Sequence, residues 1–130
     1  MNPLCREEGI GLIPWSPLAR GFLMGNRRKE GFGETVRSRT DEYAQRMYYQ
    51  DSDFEVVERV SELARKRGVS NAQVALAWVL AQPGITSPIV GARRMEHLDD
   101  AVAAVNLKLD ESELQALAEP YRPHPVLGHS

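Results

Sequence analysis

The 130 residues are 42% hydrophobic and 26% charged, and 16 Lys and Arg stand against 18 Asp and Glu for a formal net charge of -2. This is ordinary globular composition for one domain rather than disorder, and it lacks the basic excess of a nucleic-acid binder. Cys5 is the only cysteine, which excludes an internal disulfide and suggests no cysteine-based metal site; no apolar run approaches the roughly 18 residues of a membrane span.

Met1 to Glu8 has no apolar signal-peptide core, so a cytoplasmic protein is expected. Pro3 to Glu8 reads as the tail of a helix with Gly9 as its cap. A strand is predicted over 9–15, apolar through and ending at Pro14, which has no N–H for a ladder. A polar connection follows over 16–52, long enough that part of it is functional or helical, with a helical turn or two from Tyr43 to Tyr49.

A helix is predicted over 53–67. Phe54, Val57, Val60, Leu63 and Ala64 form one apolar stripe, Asp53 is the N-cap, and Gly68 the stop. Ser70 and Gln73 form a capping box for a helix over 71–82 that is apolar on most faces and therefore deeply buried. A second strand is predicted over 85–91. A helix over 94–106 carries the stripe Leu98, Ala101, Val102 and Val105, and Asp110 with Glu113 caps a helix over 111–119 before a Pro-rich tail, 120–130.

Strand, helices, strand, helices is the order of an α/β fold with parallel strands and helical crossovers. Two such strands leave two open edges and unpartnered apolar faces, so the sequence reads as part of a larger sheet.

Ligands bind parallel α/β folds at the carboxyl ends of strands. After the first strand, Ser16 offers a hydroxyl, Pro17 sets a turn, and Gly21 lets backbone approach a ligand; the same residues also make a plain Ser-Pro turn. After the second, Gly91-Ala92-Arg93-Arg94 leads into a helix. Arginines at a helix N-terminus oppose the helix dipole and call for an anion, or else form a solvated charge pair. Arg93, His97 and Asp100, spaced four and three apart, share one face that holds a polar ligand or simply meets water. His124 and His129 read as surface residues of the tail. No residue set forms a metal site or an acid–base constellation.

The run Gly11-Leu12-Ile13-Pro14-Trp15-Ser16-Pro17-Leu18-Ala19-Arg20-Gly21 resembles the seventh strand and following loop of bacterial aldo-keto reductases. Pro88 to Arg93 through Asp100 resembles their eighth strand and last barrel helix, and Ala72 to Trp78 is similar too. The tail is similar to a subgroup related to potassium-channel β subunits. The resemblance implies the C-terminal portion of a (β/α)8 barrel, about two βα units, incomplete as a barrel. It implies NADP(H) as cofactor, with Ser16, Pro17, Leu18 and Gly21 along its pyrophosphate and Gly91, Arg93, His97 and Asp100 around its adenosine and 2′-phosphate. A small carbonyl substrate is implied only for a complete barrel. The family commonly has Gln at His97 and an adenine-contacting Asn at Ala101. Its catalytic Asp, Tyr, Lys and His belong to earlier strands, so no residue here takes a catalytic role. The chain is expected to be an oxidoreductase fragment, inactive alone, that self-associates or joins the missing part of a barrel. The alternative is a nucleotide-binding or protein-interaction relic.

Overall fold

The computed structural model describes residues 2–27 and 42–124. Among them, α1 is Asn2–Glu7, a 3₁₀ turn covers Ala19–Met24, and α2 is Glu42–Tyr48, a helix inside the long connection. Then come α3 (Asp51–Arg67), α4 (Asn71–Leu80), α5 (Met95–Asn106) and α6 (Glu111–Ala118). As expected, α1 ends on Gly9 at φ +66, and Ile10 N–H reaches back to the Cys5 carbonyl at 2.7 Å.

The two extended segments run parallel, through bridges Leu12–Ile85 and Trp15–Ile89. Leu12 N–H donates to Gly84 O at 3.0 Å, Thr86 N–H to Leu12 O at 2.8 Å, and Ile89 N–H to Pro14 O at 2.8 Å. Continuous strands over 9–15 and 85–91 are not formed. Pro14 and Pro88 supply no donors, and each segment has the other as its only described strand neighbour, so pairing is confined to isolated bridges.

Helix α3 begins at Asp51, earlier than the predicted 53. Gln50 is the N-cap, and Asp53 acts from the third helical position, its carboxylate accepting the Gln50 N–H at 2.9 Å. Gly68 caps the other end at φ +66. In α4, Ser70 Oγ accepts the Gln73 N–H at 3.2 Å as predicted. The Gln73 side chain does not complete a capping box; its Nε2 donates to Asp100 Oδ1 at 2.7 Å, tying α4 to α5. The helix ends at Leu80, short of 82, in the turn leading to Pro83-Gly84. Helices α5 and α6 lose one predicted terminal residue each, Arg94 and Glu119, which serve as caps.

Val60, Leu63 and Ala64 of α3, Val74 of α4 and Leu117 of α6 make the core, with Leu23, Val69, Trp78, Leu107 and Leu109 around it. Phe22 adds a second cluster with Tyr48, Tyr49 and Phe54, ring centroids 5.1–6.0 Å apart. The stripe predicted to bury α5 is instead exposed at Leu98, Val102 and Val105, and the buried residue of that helix is Ala104. His124, expected at the surface, is half-buried, with Nε2 2.8 Å from Asp53 Oδ1. His129 and the end of the predicted tail lie outside the described residues.

Arg67 joins α3 to α6. Its Nε and Nη2 donate to the two oxygens of buried Glu113 at 2.7 and 2.6 Å, and Glu113 also accepts the Asp110 N–H at 2.9 Å. The Arg67 guanidinium is the main cause that holds the Glu113 carboxyl below its ordinary value of 4.5. A carboxylate with a lower pKa folded than unfolded stabilises the fold above its unfolded value, and that contribution fades as pH falls through the folded value. The urea-unfolding midpoint is therefore expected to fall as pH drops below about 4.5, and to fall less steeply in Glu113→Gln. Parallel pH profiles for the two proteins would contradict this.

Candidate functional site

The loop after the first extended segment has an uncommon backbone. Ser16, Ala19 and Arg20 adopt φ of 55, 49 and 55, a left-handed region that costs non-glycine residues of order 1–3 kcal/mol each. The conformation is held from within: Ala19 N–H donates to Ser16 O at 2.9 Å, Gly21 N–H to Leu18 O at 2.9 Å, and Arg20 N–H to Ser16 Oγ at 3.2 Å. It is also held from outside. Asn71 Nδ2 donates to Leu23 O at 3.1 Å and to Ser61 Oγ at 2.8 Å, anchoring the loop's end to α3 and α4. Gly25, at φ +75, passes so close to Asn71 and Ser61 that a Cβ there would press on both side chains.

The second loop runs from Ile89 to Arg94 and ends at the start of α5. Arg93 N–H donates to His97 Nδ1 at 3.4 Å, so His97 turns back over the first turn of its own helix. Arg94 Nη1 lies 3.7 Å from Glu96 Oε2, and both side chains are exposed. Asp100 is set by the Gln73 hydrogen bond across from α4.

Between the two loops and the walls of α4 and α5 lies a cavity of about 720 Å³. Ser16, Pro17, Leu18 and Gly21 line one side, and Gly91, Arg93, His97 and Asp100 another. All eight residues singled out from the sequence thus border one space. Trp15, Arg20, Met24, Asn26, Arg27, Ala72 and Leu76 also line it. Of these, Arg27 is the important omission. It is 7% exposed, and its Nη2 donates to Arg20 O at 2.8 Å. In the sequence it sits in a polar run beside Arg28, and nothing in that run marks one arginine as buried.

Four arginines around one cavity, next to a hydroxyl and a helix N-terminus, suit an anionic ligand, above all a phosphate. Apolar lining from Trp15, Leu18, Met24, Ala72, Leu76 and Ala101 suits a flat ring system beside it. No cluster of three metal-binding side chains occurs among the described residues.

The family model for the aldo/keto reductase family matches residues 1–122. The chain belongs to the aldo/keto reductase family. A Schizosaccharomyces pombe protein named as an aryl-alcohol dehydrogenase is 45% identical over 128 residues, covering 98% of this chain and 38% of that protein. Versiconal hemiacetal acetate reductase of Aspergillus parasiticus is 43% identical over 129 residues, covering 97% of this chain and 36% of that protein. The chain spans a little over a third of the length of these relatives. The crystal structure of a thermostable aldo-keto reductase in complex with the inhibitor epalrestat superposes with a TM-score of 0.59 at 24% identity, over 92% of this chain and 32% of that one. The fold is therefore the C-terminal portion of a (β/α)8 barrel that this chain does not close. That accounts for the isolated bridges and for the exposed stripe of α5, whose partners in a barrel are other strands and helices.

Proposed function

We propose that this chain is the cofactor-binding edge of an NADP(H)-dependent aldo-keto reductase, whose whole barrel reduces aldehydes or ketones. The observation that carries the reading is the shared cavity. Ser16, Pro17, Leu18 and Gly21 lie along the pyrophosphate, while Gly91, Arg93, His97 and Asp100 surround the adenosine and its 2′-phosphate. The residues fit that group: cationic side chains and a helix start for the phosphates, apolar side chains for the ring. When bound, the nicotinamide cofactor supplies hydride to a carbonyl; the residues here bind and orient it. The names of the relatives, an aryl-alcohol dehydrogenase and a hemiacetal acetate reductase, support carbonyl or alcohol chemistry without choosing a substrate. Among the described residues no helix is long and apolar enough to cross a membrane, and we place the protein in the cytoplasm.

Arg93 decides between the two nicotinamide nucleotides in this reading. A charge-assisted hydrogen bond to a 2′-phosphate contributes roughly 1.5–3 kcal/mol, or about 10- to 150-fold in affinity. The chain is expected to bind NADPH more tightly than NADH by that order, and Arg93→Ala to remove most of the difference. Calorimetric titration of both nucleotides into both proteins measures it. Equal affinities in the unsubstituted chain would refute the proposed preference.

A further inference from the structure

We propose that Gln73 is a positioning residue that governs nucleotide preference through Asp100: it holds that carboxylate toward α4 and so leaves the ribose 2′-position to Arg93. The inference rests on the nucleotide reading for its ligand and adds to it a residue outside the cavity. In that reading the adenosine wall carries two groups that call for different ligands. An arginine suits a 2′-phosphate, whereas a carboxylate accepts the free 2′-hydroxyl of a nucleotide without that phosphate and repels the phosphate by like charge. Asp100 is the one carboxylate among the described residues that line the cavity, and Arg93 lines it too. Which of the two meets the 2′-position decides between NADPH and NADH.

The placement of the carboxylate falls to Gln73. Its Nε2 donates to Asp100 Oδ1 at 2.7 Å, the short length of a bond with an ionised acceptor. A carboxylate only accepts, so the amide is turned with its NH2 toward Asp100. Among the described residues Gln73 is the only hydrogen-bond partner of that carboxylate. Gln73 is the third residue of α4, where a Gln side chain ordinarily returns to the N-cap backbone; here it reaches α5 instead. The two helices already pack more extensively than any other pair of described elements, so the bond is not required to join them, and its particular effect is to fix one side chain. Gln73 does not itself line the cavity. Its replacement by an apolar residue therefore deletes no ligand contact and changes no charge; it frees Asp100 to turn.

Titration of NADPH and NADH into the full chain tests the proposal. Gln73→Leu is expected to weaken NADPH, to strengthen NADH, and to narrow the ratio of their affinities by about tenfold. Adding Asp100→Asn to Gln73→Leu is expected to restore most of the ratio, because the freed side chain then carries no charge. A mere brace between α4 and α5 gives a different result: both nucleotides weaken together, and the second substitution recovers neither. That result, or a ratio unchanged in Gln73→Leu, would overturn the proposal. The side-chain amide resonances of Gln73 in the unsubstituted protein give a reading that needs no folded variant. They are expected to keep their positions and their slow solvent exchange when NADPH binds. A move to the position and exchange rate of a free amide would show that the nucleotide takes Asp100 from Gln73, and would overturn the proposal as well. Binding of neither nucleotide to the unsubstituted chain would overturn the nucleotide reading itself, and this inference with it.

Discussion

The isolated chain is expected to sediment as a dimer or larger species, and Ile13→Lys to shift it toward monomer. Ile10, Ile13, Trp15 and Ile89 are 55%, 60%, 66% and 53% exposed, all on or beside the paired segments. Met95, Leu98, Val102 and Val105 extend the apolar exposure along α5. Full burial of one such side chain contributes roughly 1.5–3 kcal/mol. Covering four of them reaches the scale of the entropic cost of association, roughly 4–15 kcal/mol. The paired segments also present backbone edges that add a strand from another chain. In a whole barrel the neighbouring strands and helices cover this surface; without them, a second copy is the available partner. Sedimentation velocity at several concentrations, with near-ultraviolet circular dichroism of Trp15 and Trp78, reads both assembly and packing. A concentration-independent monomer with one cooperative thermal transition would show that this face is stable in water.

Much of this organisation is legible in the sequence because it is local. Asp110 and Glu113 exchange hydrogen bonds with each other's backbone within one turn, so their spacing announces the start of α6. Gly68 and Gly9 mark helix ends for the same reason. That the eight candidate residues border one cavity was legible because they follow the two extended segments, where parallel folds place ligands, and because all but His97 match a family pattern. What escaped depends on distant partners. Asp53 has the chemistry of an N-cap, and only the position of Gln50 turns it into the third helical residue. Gln73 can close a capping box or reach α5, and Asp100 decides for the second. The apolar stripe of α5 is exposed at Leu98, Val102 and Val105, because periodicity marks an apolar face without saying what covers it. Ala19 and Arg20 have no preference for the left-handed backbone they adopt. Hence neither the turn nor the hydrogen bond from Arg27 to its Arg20 carbonyl follows from residue type.

NADPH mixed with this chain and a panel of aldehydes and ketones is expected to be consumed no faster than in a protein-free blank. Reduction of a carbonyl requires a proton for its oxygen as hydride arrives at carbon, and a positioned acid contributes about 10²–10⁴-fold. Among the described residues, the titratable side chains that line the cavity are Arg20, Arg27, Arg93, Arg94, His97 and Asp100, with neither a tyrosine nor a lysine. His97 Nδ1 accepts the Arg93 N–H and Asp100 Oδ1 accepts from Gln73 of α4, so each holds local structure with one of its atoms. In the proposed reading such a site binds and orients one end of a cofactor, and the loss of carbonyl orientation costs rate beyond the missing acid. Co-expression with a segment supplying the remaining length of a relative is expected to bring activity above the blank, with Arg93→Ala raising the KM for NADPH more than it lowers kcat. Consumption by the chain alone, abolished by Asp100→Asn or His97→Ala, would place an acid where none is assigned and make this cavity a complete active site.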